Sequence, residues 1–473
     1  MLTLFLLCNS GEVSCYSFFD FMSVKANEFV SKIKNAFEDL RNKVKIFIFP
    51  ELEEDKFLER RSYDFNGKSN KVFCDFVEQE AANIDSDSSE YINLRSEPTA
   101  LMSTPQLAAY HGKRFESHIV LTKDGYLLTI HRLRRPFIVN ADERNEVLND
   151  TILLHHGLLG SSADWILIGP EKSLPYILSK AGYDVWLANA RGNYYSRGHI
   201  SKRMDSLDYW QFSFQEIGQY DLPAVVDYII ALKNSTDKIT FIGHSMGATA
   251  FLAMLSSLPN YNNNFRMAVF LAPLVYMTNT KGPFKIITTM AKHPPKHLLR
   301  LLGEGEFVPG RKIPNWIANK YCKGLDIYCQ NPLLFLSSSI PEENLWDKSL
   351  MARVLYHIPA GGSTNTVLHF AQMAKSGKFH KYDNENDEFS LRHVKVPIVM
   401  FSSSGDLLAT IPDVLRLYFS ITNPIDNYVI REKQFTHIDF LVNSDVNTLV
   451  YEKVIAFLKG TVEYNISNFI ENN

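Results

Sequence analysis

Cysteine is scarce in this chain, with five in 473 residues. That is too few for a disulfide scaffold, and the five are too scattered for a zinc site. Cys322 and Cys329 lie close enough in sequence to close a small loop, whereas Cys8, Cys15 and Cys74 have no evident partners. An excess of one charge is missing as well. The 49 basic residues face 52 acidic ones, a net −3, which leaves no electrostatic footprint for nucleic acid. Nor is there an apolar run that could span a bilayer, which takes about 20 residues. The longest, Met267 to Met277, falls short and contains Pro273. No nucleic-acid partner and no transmembrane segment are therefore expected, and internal repeats are absent. What remains is an ordinary globular composition, 45% apolar and 21% charged, on a chain long enough for a full core. Aromatics reach 12%, which points to extensive apolar surface in a core or a cleft.

The texture changes along the chain. Met1 to Leu7 is apolar and reads as a short signal segment, although it lacks a basic flank. Residues 24 to 47 carry apolar side chains at helical spacing, Phe29, Val30, Ile33, Phe37, Leu40 and Val44 among them. Such a helix either docks on the body or lies on a membrane surface, and the pattern alone does not separate the two. A charged linker follows, so residues 1–104 read as an N-terminal extension. From about 105 onward β-type runs alternate with helical patterns, as a parallel βαβ sheet requires. The candidate strands are Ser117 to Leu121, Leu127 to Arg132, Ile152 to Leu154, Tyr183 to Ala188, Ile239 to Ile242, Met267 to Leu271, Ile398 to Ser402 and Tyr428 to Arg431. Lys123-Asp124-Gly125 joins the first two as a hairpin. The expected fold class is α/β, with a mostly parallel eight-stranded sheet built from 105–274 and 391–465. Between them, 275–390 loses the rhythm, is rich in Pro, Leu, Met and aromatic residues, and reads as a helical cap inserted over one edge of the sheet.

Gly243-His244-Ser245-Met246-Gly247 is the strongest local motif. It fits G-x-S-x-G, in which a serine projects from a sharp turn between a strand and a helix, and glycines relieve the crowding around it. Five residues alone are a weak signal. Here a β-type run, Lys238 to Ile242, ends at the motif and a helical run, Ala248 to Leu258, begins just after it. A serine nucleophile needs a base, and the base needs an acid to fix its tautomer. In this strand–turn–helix setting the chain order is Ser, acid, His. Asp406, in a glycine-marked turn after Ile398 to Ser402, supplies the acid. Its rival Asp413 looks like a helix entry. His437 follows the last candidate strand and supplies the base, while His244 reads as packing because neighbours on a sharp turn point apart. Acyl transfer also needs donors aimed at the developing oxyanion. The backbone N–H of Met246 is one. Leu158, in the loop His155-His156-Gly157-Leu158-Leu159-Gly160, is assigned as the other.

With these residues in place, the chain resembles the acid lipase family of α/β-hydrolases, which includes gastric, lysosomal and many insect lipases. The resemblance is carried by ESHIVLTKDGYLLTIHRL (116 to 133), HHGLLGSSADW (155 to 165), NARGNYYSRGH (189 to 199), FSFQEIGQYDLPA (212 to 224), GHSMG (243 to 247), SSGDLLA (403 to 409) and FTHIDF (435 to 440). It implies an α/β-hydrolase fold and ester hydrolysis on acylglycerols or sterol esters, with the triad on Ser245, Asp406 and His437, the oxyanion donors on Leu158 and Met246, and the cap and lid on about 275–390. It further implies a secreted or lysosomal protein, with sequons at Asn149, Asn234 and Asn465 and a cap disulfide that would fall on Cys322 and Cys329. Two departures stand out: many members carry Gln where this chain has Met246, and Trp where it has Leu407.

The implied chemistry is a two-step hydrolysis through an acyl-enzyme, needing no metal and no organic cofactor, on a lipid ester taken from a lipid–water interface. Two rival readings are a catalytically silent lipid-binding or storage protein on the same scaffold and an esterase or thioesterase acting on another acyl group.

Overall fold

Strands buried on both faces read as continuous apolar runs, and the central strands of this sheet have that character. The computed structural model describes residues 99–133, 150–233, 237–288, 303, 305–307 and 348–460. The expectations for residues 1–98, for Cys322 and Cys329, and for Asn149, Asn234 and Asn465 lie outside the described residues.

Within them the strands are β1 (Phe115–Leu121), β2 (Tyr126–Leu133), β3 (Thr151–His155), β4 (Asp184–Leu187), β5 (Gly198–His199), β6 (Ile239–His244), β7 (Phe265–Leu271), β8 (His380–Lys381), β9 (Asn384–Glu388), β10 (Ile398–Ser403) and β11 (Pro424–Ile430). All eight expected strands are present, and they lie side by side in the order β1-β2-β4-β3-β6-β7-β10-β11. The two-residue β5 pairs with β2. β2 runs antiparallel to both β1 and β4, and every pairing from β4 to β11 is parallel. β3, β4, β6 and β10 are buried along their whole length, whereas the edge strand β1 exposes Ile119 and Leu121.

The longer helices include α1 (Leu174–Lys180), α2 (Leu222–Lys233), α3 (Met246–Ser257), α4 (Thr364–Ser376), α5 (Ile411–Ser420) and α6 (Glu452–Lys459). α3 starts directly behind Ser245 and is buried from Met246 to Ser256, as a helix that is apolar on all sides must be. Phe251 of α3 stacks on Phe241 of β6 with ring centroids 4.2 Å apart, and Phe265 and Phe270 of β7 pack edge-on to it. This aromatic cluster lies between β6 and α3, the two elements that meet at Ser245. None of the helices among the described residues is long and apolar enough to cross a membrane.

One segment departs from the expected texture. Residues 380–388, expected among helices and loops, form the small β8–β9 hairpin. Asn384–Glu388 is wholly polar and largely exposed, so it lacks the apolar alternation by which a strand is recognised. It is held by its pairing with β8 instead.

Candidate active site

In an open parallel sheet, functional side chains gather where strands end at their carboxyl edge. Four such ends converge here, those of β3, β6, β10 and β11.

Ser245 follows β6 and has φ 53° and ψ −116°, a conformation that costs an ordinary residue on the order of 1–3 kcal/mol. The surroundings hold it there. Its N–H donates to the carbonyl of Leu271 at the end of β7, at 2.9 Å, and its own carbonyl accepts from Ala248 in the first turn of α3. The flanking glycines are required by close approach. A Cβ at Gly243 would lie 2.8 Å from the Ala248 nitrogen, and one at Gly247 would lie 2.5 Å from the His155 carbonyl oxygen.

Asp406 sits in the turn after β10, with its carboxylate fully buried. One oxygen accepts backbone N–H groups of Leu408 and Ala409 at 2.8 and 2.9 Å. The other accepts Nδ1–H of His437 at 2.7 Å. That bond fixes the tautomer and leaves the Nε2 lone pair of His437 facing the hydroxyl of Ser245, 2.8 Å away. The Asp and His loops are stapled together. The Ser403 hydroxyl donates to the Phe435 carbonyl, and a Cβ at Gly405 would fall 2.3 Å from the Lys433 carbonyl oxygen. Thr436 and Asp439 close the His loop on itself, since the Asp439 carboxylate accepts both the N–H and the hydroxyl of Thr436 at 2.6 Å. Burial raises the Asp439 carboxyl above its ordinary range, and these bonds oppose the shift. Asp413, the rival acid, lies in the first turn of α5 and accepts from Thr410 and from the backbone and side chain of Asn279. It takes no part in the relay.

Beyond β3, the loop carrying Leu158 faces the elbow. Leu158 and Met246 line one narrow pocket together with Leu159, Phe212, Ile217 and Thr366. The loop is pinned from three sides. His156 donates Nδ1–H to the Gly157 carbonyl and accepts the Ala190 N–H on Nε2, at 2.7 and 3.0 Å. Burial, with His155 beside it, pushes His156 well below the usual histidine range, so the ring is neutral. Asn193 donates to the Gly160 carbonyl at 3.2 Å. Ala360 donates its N–H to the carbonyl of Leu159, which itself has a positive φ of 57°.

Behind Asn193 a fully buried Arg191 is clamped between two carboxylates. Its guanidinium lies 2.6 Å from Asp221 and 2.5 Å from Asp124, over the ring of Tyr126 at 4.0 Å. Burial alone would favour its neutral form, but the two carboxylates outweigh this and keep it charged. The sequence gives the segment NARGNYYSRGH no role for its individual residues. Arg191, Asn193 and the His156 pin are what the sequence alone missed, and an Arg set among Asn and Gly residues was the available signal. It also missed a bond made by His244, whose Nε2 lies 3.0 Å from the carbonyl oxygen of His437. The side chain does more than pack.

What this arrangement can do chemically is pass a proton from a hydroxyl to an imidazole beside an apolar pocket. Among the described residues no cluster of side chains is suited to hold a metal ion.

Comparison with known proteins agrees with the fold. The family described as "alpha/beta hydrolase fold" matches residues 150–444, and that described as "Partial alpha/beta-hydrolase lipase region" matches 104–169. Lipase 3 of Drosophila melanogaster is 34% identical, over 74% of this chain and 91% of that protein. Gastric triacylglycerol lipase of Mus musculus is 33% identical, over 76% of this chain and 92% of that protein. Lipase member K of Homo sapiens is 32% identical over the same shares. With the sheet order, the elbow and these matches together, the chain belongs to the α/β-hydrolase fold family, among its acid lipases.

Proposed function

We propose that the protein is a serine lipase that cleaves carboxylic esters of lipids, acylglycerols or sterol esters, through an acyl-enzyme. His437 takes the proton of Ser245 as the hydroxyl attacks the ester carbonyl. The N–H groups of Leu158 and Met246 stabilise the oxyanion, and Asp406 orients and balances the imidazolium. His437 then gives the proton to the leaving alcohol. Water, deprotonated by the same imidazole, attacks the acyl-enzyme and releases the fatty acid.

The observation that carries this reading is the continuous relay from Asp406 through His437 to Ser245, at 2.7 and 2.8 Å. A storage protein would have no use for a strained serine held at hydrogen-bond distance from a base. That observation also favours a catalyst over the silent scaffold. The choice of a lipid ester over another acyl group draws on the lipase relatives and on the apolar lining by Leu158, Leu159, Phe212, Ile217 and Met246. Residues 275–390 are assigned as the cap that covers the acyl chain. A lipid–water interface is the working surface, and secretion or delivery to a lysosome is the setting.

The test compares wild type with Ser245→Ala on emulsified long-chain triglyceride, sterol ester and dissolved short-chain ester, with covalent labelling by a fluorophosphonate. Labelling of the wild type at Ser245 and loss of hydrolysis in the variant are expected. Hydrolysis by Ser245→Ala at the wild-type rate refutes the mechanism. Turnover of the short-chain ester alone refutes the lipid substrate.

A further inference from the structure

We propose that His244 is a positioning residue for the base: its imidazole holds the main chain of His437 and so sets the aim of that ring at Ser245. The inference rests on the triad reading above.

His437 sits in the turn that follows β11, and its two side-chain bonds orient the ring only as well as its own backbone is held. Neighbouring residues are tied, Phe435 through Ser403 and Thr436 through Asp439. His437 itself is tied by His244. The Nε2 of His244 lies 3.0 Å from the His437 carbonyl oxygen, and the two rings pack at 5.0 Å with their planes 45° apart. A carbonyl only accepts, so Nε2 carries the hydrogen and Nδ1 presents its lone pair. That Nδ1 has no hydrogen-bond partner among the described residues, and a Cβ at Gly157 would lie 3.0 Å from it. His244 therefore touches three parts of the site at once: the nucleophile one residue on, the base loop above and the oxyanion loop beside it.

The ring is suited to this work because it stays neutral. Burial, and then the nearby His437, push it down to about 3, so it does not compete for the proton that His437 must carry. It ends β6, paired with Leu271 of β7, and is thus fixed by a strand buried along its whole length. Rigid elements hold reacting groups more tightly than loops do, and a displacement near 1 Å costs about 100-fold in rate.

The experiment uses the full chain with His244→Phe and His244→Gln, and Ser245→Ala as control. It reads kcat and KM on a dissolved ester, the rate of fluorophosphonate labelling and the thermal midpoint. The Phe variant keeps the bulk and loses the donor. The Gln variant restores an N–H near the position of Nε2. For His244→Phe, a fall in kcat and labelling rate of about 10- to 100-fold is expected, with KM within about twofold. Recovery of most of the loss is expected for His244→Gln at the same thermal midpoint. If the Phe variant does not fold, His244→Gln against His244→Asn makes the same comparison, because the shorter amide does not reach the carbonyl. Wild-type kcat in His244→Phe overturns the proposal, as does equal impairment of donor and non-donor variants. Activity surviving in Ser245→Ala overturns the triad itself, and this proposal with it.

Discussion

Gly247 separates the nucleophile elbow from the oxyanion loop, so its replacement by alanine tests how tightly those two parts are set against each other. The added methyl carbon would meet two backbone oxygens where β3 ends and its loop begins, His155 at 2.5 Å and His156 at 3.1 Å. Neither is the end of a flexible side chain, so the loop and the elbow must move apart. Restoring ordinary contact takes an opening of roughly 0.5–1 Å. In stability, overpacking of this kind costs typically 1–3 kcal/mol. In rate, the same opening separates the proposed oxyanion donors Leu158 and Met246, and a misplacement near 1 Å costs about 100-fold, or about 2.7 kcal/mol of barrier. Gly247→Ala is thus expected to remain folded, with a modestly lowered urea midpoint, while kcat on a dissolved ester falls about 100-fold. KM should change little, because the ground-state ester makes weaker use of the oxyanion donors than the transition state. Steady-state kinetics beside urea unfolding measures both. A variant with kcat within about twofold of wild type and an unshifted midpoint would refute the reasoning, since the methyl would then have been absorbed without moving either part.

Asp406→Asn keeps the volume but no longer holds the His437 tautomer, and kcat should fall by about 10⁴-fold, read in ester hydrolysis and in slowed fluorophosphonate labelling; a loss under tenfold would show that the acid lies elsewhere. Arg191→Met strands Asp221 in the core, so a loss of about 3–5 kcal/mol in urea unfolding is expected, and an unchanged midpoint would mean that the clamp contributes no stability. Asp164 sits fully buried on the turn Ser162–Trp165, and burial raises its carboxyl from 3.8 to about 7. The folded value lies above the unfolded one, so the protonated acid adds stability that is complete below about pH 4 and is lost as pH rises through about 7. Asp164→Asn should therefore gain stability relative to wild type between pH 4.5 and 8, and parallel curves of unfolding free energy against pH for the two proteins would exclude this. Taking the difference matters, because buried His155 and His369, pushed down to about 4 and about 3 by burial, tilt both curves the opposite way as pH falls through 6.5.

The strands were legible because burial on both faces leaves a trace in every residue. Ile239–His244 is apolar but for Thr240 until Gly243 and His244, and Ile398–Ser403 is apolar until its closing serines, where chemistry begins. The elbow was legible for steric reasons, since Gly243 and Gly247 each face a backbone atom that forbids a side chain. Asp406 and His437 could be picked out by chain order and by their position after strands, and the structure brings both into contact with the serine relay. The pins were not legible. His244 meets a carbonyl 193 residues away, and Asn193 meets one 33 residues back. Carbonyls are common to every residue, so no side-chain pattern marks them as partners. The hairpin at 380–388 was hidden for a related reason, because its pairing is local and its residues carry no apolar signal.

β7 and β10 lie edge to edge in parallel register, Ala268 beside Ile398 and Leu271 beside Phe401, although the chain leaves the sheet at 271 and returns only at 398. The entropic toll of closing such an excursion rises only with the logarithm of its length. Whatever sequence fills the interval, a single strand, β7, lies in the sheet between the strand that delivers the serine and the strand that delivers the acid. The spacing of serine and acid is thereby a matter of sheet order, and the length of the excursion does not enter it.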